Sequence, residues 1–199
     1  MEPSHLYEPT PAAGDVPSLR ADAANNRLQI LHAADRAFRR DGVHVPLAVI
    51  ARQANVGLAT LYRRFPSRRM LLTVLHTRAM NQHRRVLSTA LAYPDPVAGL
   101  GYALHNLCGL QLAGRACTPA FTAEFPETVS AARTEIEAGL SGILERAQAG
   151  GRVHADIDLP DLTNLLGAID GIIASGTAEV RAAVHRHVAF FIRGIIINN

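Results

Sequence analysis

Apolar residues recur at helical spacing along most of this 199-residue chain. Near its start, Ile30, Ala34 and Phe38 stand four residues apart, which places them on one face of a helix. The pattern predicts a helix over about residues 26–41, ended by the glycine that follows in a left-handed conformation. Residues 1–22 hold several prolines and show no such period, so we expect a flexible arm there.

A second pattern of short apolar stretches covers residues 47–72 and is interrupted in its middle. It predicts a short helix, a tight turn at Asn55, a helix over residues 57–64 and a longer helix over residues 67–91. Asparagine tolerates the left-handed region better than other non-glycine residues, so we expect a positive φ at Asn55. A bracing helix, a turn and a second helix make a helix-turn-helix, whose second helix can lie in the DNA major groove.

The remainder of the chain is also helical in pattern, and prolines stand at several of the predicted helix starts. No strand pattern or internal repeat accompanies these helices, so the predicted class is all-α. We expect a three-helix head over residues 23–70 and a second, helical domain over residues 71–199. Within the second domain the predicted helices cover about residues 96–113, 126–147, 160–175 and 180–195, with a short segment over residues 119–124.

Charge is distributed unevenly along the chain. Residues 1–19 sum to −3, residues 20–90 to +10 and residues 91–199 to −4, and every basic residue other than histidine is arginine. A GC-rich genome can explain the preference for arginine over lysine, but it does not explain where the arginines stand. Their concentration around the predicted helix-turn-helix indicates a nucleic-acid partner, and arginine suits phosphate and guanine recognition.

The residues around the helix-turn-helix also agree with a known signature. The matching residues are Ile30-Leu31-His32-Ala33-Ala34, Phe38, Asp41-Gly42, Ile50-Ala51, Ala54-Asn55-Val56-Gly57 and Thr60-Leu61-Tyr62-Arg63-Arg64-Phe65-Pro66-Ser67. Over about residues 25–72 the chain therefore resembles the tetracycline-repressor-like (TetR) regulators, although Asn55 stands where that family usually has glycine and Gly57 where it often has serine. The resemblance implies a DNA-binding head and a C-terminal domain that dimerises and holds a small-molecule effector.

All but one of the candidate DNA contacts lie in the predicted helix over residues 57–64. Tyr62 and Thr60 can donate to phosphates, and Arg63 is the best candidate for a guanine contact. Leu58 and Ala59 can meet thymine methyl groups. The alternative is a solvated basic surface without a partner. The predicted DNA-binding residues are Gly57, Leu58, Ala59, Thr60, Tyr62, Arg63, Arg64 and Arg68.

Two arginines, Arg68 and Arg69, fall in the first turn of the predicted fourth helix. The helix dipole favours acidic residues at that position, so the arginines conflict with it. A DNA phosphate docked there would resolve the conflict. By resemblance, the phosphate-contacting lysine of the family corresponds to Arg68.

An effector pocket is implied by the resemblance, and polar residues inside apolar helices are candidates for its anchors. Asp170 and His105 occupy such positions, although either can equally be a surface or capping residue. An apolar stripe near them is explained as well by core packing as by a cavity wall. The predicted pocket residues are Leu104, His105, Leu107, Cys108, Phe121, Phe125 and Asp170.

Cysteine and histidine patterns indicate neither a metal nor a cofactor. Cys108 and Cys117 are too few for a disulfide scaffold, and they can be a redox pair or small core residues. His76 and His83 share a helix face, but no metal-binding motif accompanies them, so we interpret them as surface or interface histidines. No long uncharged apolar stretch and no secretory signal is present, so neither a membrane span nor export is expected, and we expect a cytoplasmic protein.

The last two predicted helices carry the widest apolar stripes. Part of this surface must cover the chain's own core, and we expect the rest to pair with a second copy in a four-helix bundle. The alternative is a purely intramolecular core. The predicted dimer residues are Leu162, Leu165, Leu166, Ile169, Ile172, Ile173, Val184, Val188, Phe191 and Ile195.

Together these features predict a DNA-binding transcriptional regulator. We expect a homodimeric repressor that binds a palindromic operator in double-stranded DNA and is released by a small-molecule effector. The alternative is a regulator of the same fold that is ligand-independent or controlled by another protein. An enzyme is not expected, since no nucleophile–base pair, metal motif or phosphate-binding loop stands out.

Overall fold

The computed structural model describes residues 19–113, 122, 125–176 and 178–197. Within these residues the chain forms α-helices joined by short links, and the one extended pairing is an antiparallel bridge between Val153 and Ile196. The predicted all-α class is therefore confirmed. Most of the predicted arm and, apart from Thr122, the predicted segment over residues 119–124 lie outside this part of the chain.

Three helices make the head, namely α1 (Leu19–Asp41), α2 (Leu47–Gln53) and α3 (Leu58–Arg64). α1 begins before the predicted start at residue 26. An aspartate in its first turn and the alanines that follow favour a helix there, although no apolar stripe signals it. α1 ends where predicted, because Gly42 adopts a φ of +81°.

The turn between α2 and α3 has the geometry of a Schellman motif. The N–H of Asn55 donates to the carbonyl of Arg52 at 3.1 Å, and the N–H of Val56 donates to the carbonyl of Ala51 at 3.0 Å. Asn55 itself has a φ of +52°, so the predicted left-handed conformation is confirmed. This turn fixes the direction in which α3 leaves α2.

Longer helices follow, and side-chain caps hold several of their starts. The Ser67 hydroxyl accepts a hydrogen bond from the Met70 N–H at 3.1 Å, and Asp158 and Asp161 form a reciprocal capping box. The helices are α4 (Arg68–Leu91), α5 (Pro96–Leu112), α6 (Pro126–Ala149), α7 (Leu159–Ala174) and α8 (Val180–Ile195).

Buried apolar residues form two clusters. The head cluster includes Ile30, Leu31, Phe38, Ile50, Leu61, Phe65, Leu71, Leu72 and Phe125. The body cluster includes Leu87, Leu100, Leu104, Leu140, Ile143, Leu162, Ile169, Val184 and Val188. The predicted domain boundary after residue 70 falls inside α4. Leu71 and Leu72, just beyond that boundary, belong to the head cluster.

Further contacts join the head to the body besides α4. Phe125, which immediately precedes α6, is buried in the head cluster, and Val129 in the first turn of α6 packs against that cluster. The guanidinium of Arg39 on α1 donates to the carbonyl of Ala113 at the end of α5. The head therefore contacts the body at the end of α5 and at the start of α6.

Candidate nucleic-acid interface and effector cavity

α3 has one buried face and one exposed face. Leu61 is fully buried in the head cluster, and Phe65, just after the helix, is also fully buried. On the opposite face Tyr62 is 47% exposed and Leu58 is 41% exposed. Gly57, Ala59 and Arg63 are exposed as well, whereas Thr60 and Arg64 are partly buried. The predicted DNA-contacting residues that α3 exposes are thus Leu58, Ala59, Tyr62 and Arg63.

Arg64 differs from its neighbour Arg63. The Nε of Arg64 is buried and makes no hydrogen bond among the described residues, whereas Arg63 lies in solvent. An unpaired buried donor is costly, so this nitrogen is a group that a nearby acceptor would stabilise. Of the two side chains, that of Arg63 is the more exposed.

The arginines at the start of α4 have intramolecular partners that the sequence did not reveal. The Arg68 guanidinium donates to the carbonyl of Val43 in the link before α2, and the Arg69 guanidinium lies 4.5 Å from the centre of the Phe125 ring. These contacts, together with the Ser67 cap, offset the conflict with the helix dipole without a bound phosphate. Arg68 keeps further N–H donors, because a guanidinium carries five.

A cavity of about 340 Å³ lies in the body between α4, α5, α6 and α7. Its wall is mainly apolar, and its polar groups come from His83, Gln111, Arg133, Glu137, Thr163 and Asp170. The apolar part of the wall includes Ala79, Met80, Leu107, Val129, Ala132, Ile136 and Leu166. A volume of this size is at the lower end of the range for small-molecule sites.

Only part of the predicted pocket is found in this cavity. Leu107 and Asp170 line it, as expected for a pocket in this domain. Leu104 and Cys108 do not line it, and both are buried in the body cluster. His105 also lies elsewhere, with its ring 6.2 Å from that of His185 on α8.

Of the two predicted phenylalanines, only Phe125 lies within the described residues, and it does not line the cavity. Phe125, the residue immediately before α6, is placed in the head cluster. Its assignment to the pocket is therefore corrected. Phe121 lies outside the described residues.

The cavity residues missed at the sequence level are chiefly His83 and Gln111. His83 was interpreted as a surface or interface residue, but it is buried, and this burial lowers the pKa of its ring. The Gln111 amide contacts Asp170, whose pKa is raised by desolvation. Gln111 gave no signal in the sequence, since a single glutamine in an apolar helix is compatible with many environments.

The predicted dimer residues are mostly part of the monomer core. α7 and α8 pack on α5 and on each other, so the apolar period of these helices reports burial within one chain. The partly buried members are Leu166, Ile172, Ile173 and Phe191, which pack on the edge of the body cluster. The members whose assignment to an interface is corrected, because they are buried in the body cluster, are Leu162, Leu165, Ile169, Val184, Val188 and Ile195.

A different face of α7 and α8 is exposed. It carries Gly167, Ala168 and Gly171 on α7, where a side chain added at either glycine would meet no atom within 4 Å. On α8 it carries Phe190, which is 60% exposed, with the Arg193 guanidinium 4.8 Å from its ring centre. Small residues gave no apolar signal in the sequence, so this face was missed.

Three other features bear on function. Burial raises the pKa of the Cys108 thiol to about 12, which disfavours the reactive thiolate, and Cys117 lies outside the described residues. In the described part of the chain no group of three or more His, Cys, Asp or Glu side chains is arranged to hold a metal ion. None of the helices described is long and apolar enough to cross a membrane.

Comparison with protein families matched the chain in two places. Residues 30–75 match the model of bacterial regulatory proteins of the tetR family. Residues 98–196 match the model of the C-terminal domain of SbtR-like transcriptional regulators. A comparison with curated proteins found no match.

Solved structures with the same fold include several regulators. A TetR transcriptional regulator from Streptomyces coelicolor is 26% identical with a TM-score of 0.65, covering 87% of this chain and 99% of that one. A TetR regulatory protein from Mycobacterium vanbaalenii is 27% identical with a TM-score of 0.54, covering 90% and 99%. A transcriptional regulator from Saccharomonospora viridis, solved in complex with choline, is 22% identical with a TM-score of 0.62, covering 88% and 100%.

The fold, the exposed face of α3 and the two family matches agree with one another. TetR regulators are transcription factors and not enzymes, as the sequence predicted. The chain belongs to the TetR family of DNA-binding transcriptional regulators.

Proposed function

We propose that this protein is a homodimeric, cytoplasmic repressor that binds a palindromic operator and is released from it by a small-molecule effector. The observation that carries the proposal is the exposed face of α3, where Tyr62 and Arg63 project away from the buried Leu61. A helix held in this way can enter the major groove while its inner face keeps the head folded.

Two arginines are assigned different roles in DNA binding. Arg63 reads a base, because it is exposed in the middle of the recognition surface. Arg68 contacts a phosphate with the donors that Val43 does not use.

The DNA assignments are tested with salt-dependent binding measurements. Arg68→Ala should weaken binding to all sequences and lower the slope of log affinity against log salt by about one phosphate contact. Arg63→Ala should instead relax the preference at particular base pairs. Arg85→Ala, an exposed arginine in the body half of α4, is the matched control and should change neither property. The assignments fail if Arg63→Ala and Arg68→Ala behave alike.

The dimer is proposed to form through the exposed face of α7 and α8. Small residues on α7 allow two helices to approach closely, and Phe190 on α8 provides an exposed aromatic side chain. A two-fold axis through this face would pair the same helices of both copies and present two heads to a palindrome.

Sedimentation measures the dimer directly. Phe190→Glu should weaken dimerisation and operator affinity together, because a charge would have to be buried in each copy. Leu91→Glu changes another exposed apolar residue, at the end of α4, and should leave both unchanged. A wild-type monomer at micromolar concentration would exclude this part of the proposal.

Effector release is supported by the position of the cavity. Val129 lines the cavity and also packs against the head cluster, so a ligand there contacts a residue that supports the head. The choline complex of the Saccharomonospora viridis regulator supports a ligand-binding role for proteins of this fold. A ligand changes operator affinity only if it binds the two head arrangements with different affinity.

Release is tested by adding compounds that raise the melting temperature to the protein–operator complex. Loss of DNA binding is expected for compounds that occupy the cavity. If cavity-binding compounds leave operator affinity unchanged, the ligand-independent regulator is the better description.

A further inference from the structure

The polar groups of the cavity offer a ligand more hydrogen-bond acceptors than donors. The Gln111 side-chain NH₂ donates to the carbonyl of Leu166 and to a carboxylate oxygen of Asp170, both at 3.2 Å. Because both partners are acceptors, the orientation of this amide is fixed. The remaining Oε1 of Gln111 is buried and accepts no hydrogen bond from the described residues.

The histidine in the wall is also an acceptor. The Nδ1 of His83 lies 2.9 Å from the carbonyl of Ala79, so it carries the hydrogen and donates. The other ring nitrogen, Nε2, then carries a lone pair in the neutral ring. Burial lowers the pKa of His83, which favours this neutral form near pH 7.

The other donors of the cavity are already used or lie in water. The Thr163 hydroxyl donates to the carbonyl of Pro160 at 3.0 Å. The Nε of Arg133 donates to Glu137 at 2.7 Å, and the Arg133 side chain is 74% exposed. A bound molecule therefore meets unsatisfied acceptors, whereas the donors it can reach without displacing a protein contact belong to a guanidinium in solvent.

The formal charges around the cavity favour the same kind of ligand as this excess of acceptors. Arg133 and Glu137 compensate each other as an ion pair, and Asp170 stands at the solvent side of the cavity without a cationic partner among the described residues. The site thus favours a ligand that is positively charged and has hydrogen atoms to donate.

We infer that the cavity binds a small apolar amine, a primary or secondary ammonium whose N–H groups donate to Gln111, Asp170 and His83. This inference rests on the proposed function, since it names the class of effector that the cavity takes. The apolar body of the amine would lie against Met80, Leu107, Ile136 and Leu166.

Two other ligand classes fit the cavity less well. A carboxylate would bring more acceptors to Gln111 and His83 and a second negative charge to Asp170. A quaternary ammonium has no N–H to donate, and such cations are held chiefly by aromatic rings. Among the described residues that line the cavity there is no Phe, Tyr or Trp.

The test compares ligands that share one apolar body and differ in the head group. Phenylbutylamine, phenylbutanol, phenylbutyrate and trimethyl(phenylbutyl)ammonium are titrated calorimetrically into the full chain at neutral pH. The amine should bind about tenfold or more tightly than the alcohol, and the other two more weakly than the amine. The inference is overturned if phenylbutyrate or the quaternary compound binds as tightly as the amine, or if none of the four binds.

Two variants locate the binding. Asp170→Asn keeps the size of the side chain but removes the charge, so amine affinity should fall about tenfold while alcohol affinity changes little. Asp156→Asn, an exposed carboxylate outside the cavity, is the matched control and should bind the amine normally. Equal amine affinity in the wild type and in Asp170→Asn would overturn the inference.

These experiments distinguish a failure of the amine inference from a failure of the proposed function. If the amine binds as expected but leaves the operator complex intact, the ligand class stands and the proposed release fails. If the operator is bound selectively but no amine binds, DNA recognition stands and the ligand class fails.

Discussion

Replacing Phe125 with alanine should destabilise the head, although this residue lies far along the chain from the helix-turn-helix. Its side chain is only 6% exposed and lies in the head cluster. An aromatic side chain buries about 200 Å². At about 25 cal/mol per Å² this contributes up to about 5 kcal/mol.

Two effects change the expected loss of unfolding free energy from this upper limit, one lowering it and one raising it. Alanine retains the β-carbon, and measured Phe→Ala costs in protein cores are about 3–5 kcal/mol. The Arg69 guanidinium over the ring adds about 0.5–2 kcal/mol that alanine would also lose. We therefore expect a loss of about 4 kcal/mol, a large part of the stability of a typical domain.

Urea unfolding followed by far-ultraviolet circular dichroism measures this loss, and it suits a chain without tryptophan. Tyr62→Ala is the control, because it removes an exposed aromatic side chain from the same head. The Tyr62 variant should keep its stability within about 0.5 kcal/mol and lose operator affinity. A loss below about 1 kcal/mol for Phe125→Ala would refute the reasoning, since it would mean that the head does not need this residue.

Three further predictions concern single residues. Asn55→Gly should be neutral or mildly stabilising in thermal unfolding, whereas Asn55→Val should destabilise the head because a β-branched residue resists a φ of +52°; equal melting temperatures would contradict this. Ser67→Ala should cost about 1 kcal/mol through loss of the α4 cap, measured against the exposed mid-helix control Ser130→Ala, which should cost less. Burial raises the pKa of the Cys108 thiol from 9.0 to about 12 in the folded protein, so the thiol of the unfolded chain ionises at lower pH. The stability of the wild type should therefore fall as pH rises from about 9 towards 12. Denaturation midpoints of Cys108→Ala should lack this part of the pH dependence, and parallel curves would argue against it.

The head was largely predictable from sequence because its determinants are local. The residue types of Asn55 and Gly42 alone predict a positive φ, and that of Ser67 predicts a helix start. The outer face of α3 follows from the same local pattern, since Leu61 must face inward. Phe125 was not predictable as part of the head, because nothing in its neighbourhood indicates a partner so distant in the chain.

The body was predictable in its helices but not in its surfaces. An apolar period shows which side of a helix is buried and does not show what covers it. Ile169 and Val188 were therefore assigned to a second copy, although they pack within one chain. Leu107 and Asp170 were predicted as pocket residues and line the cavity, but Gln111 and His83 were missed, since their role depends on the helices that face them.

α4 gives the molecule a mechanical property that no single contact describes. Its 24 residues form one helix about 36 Å long, with Leu71 and Leu72 in the head cluster and Val86 and Leu87 in the body cluster. The cavity opens beside the middle of this rod, at Met80. A rotation of about 5° about the body end would carry the head end through about 3 Å, which is roughly the rise of one base pair. A small displacement of α4 beside the cavity would thus move the head end of the helix through a larger distance.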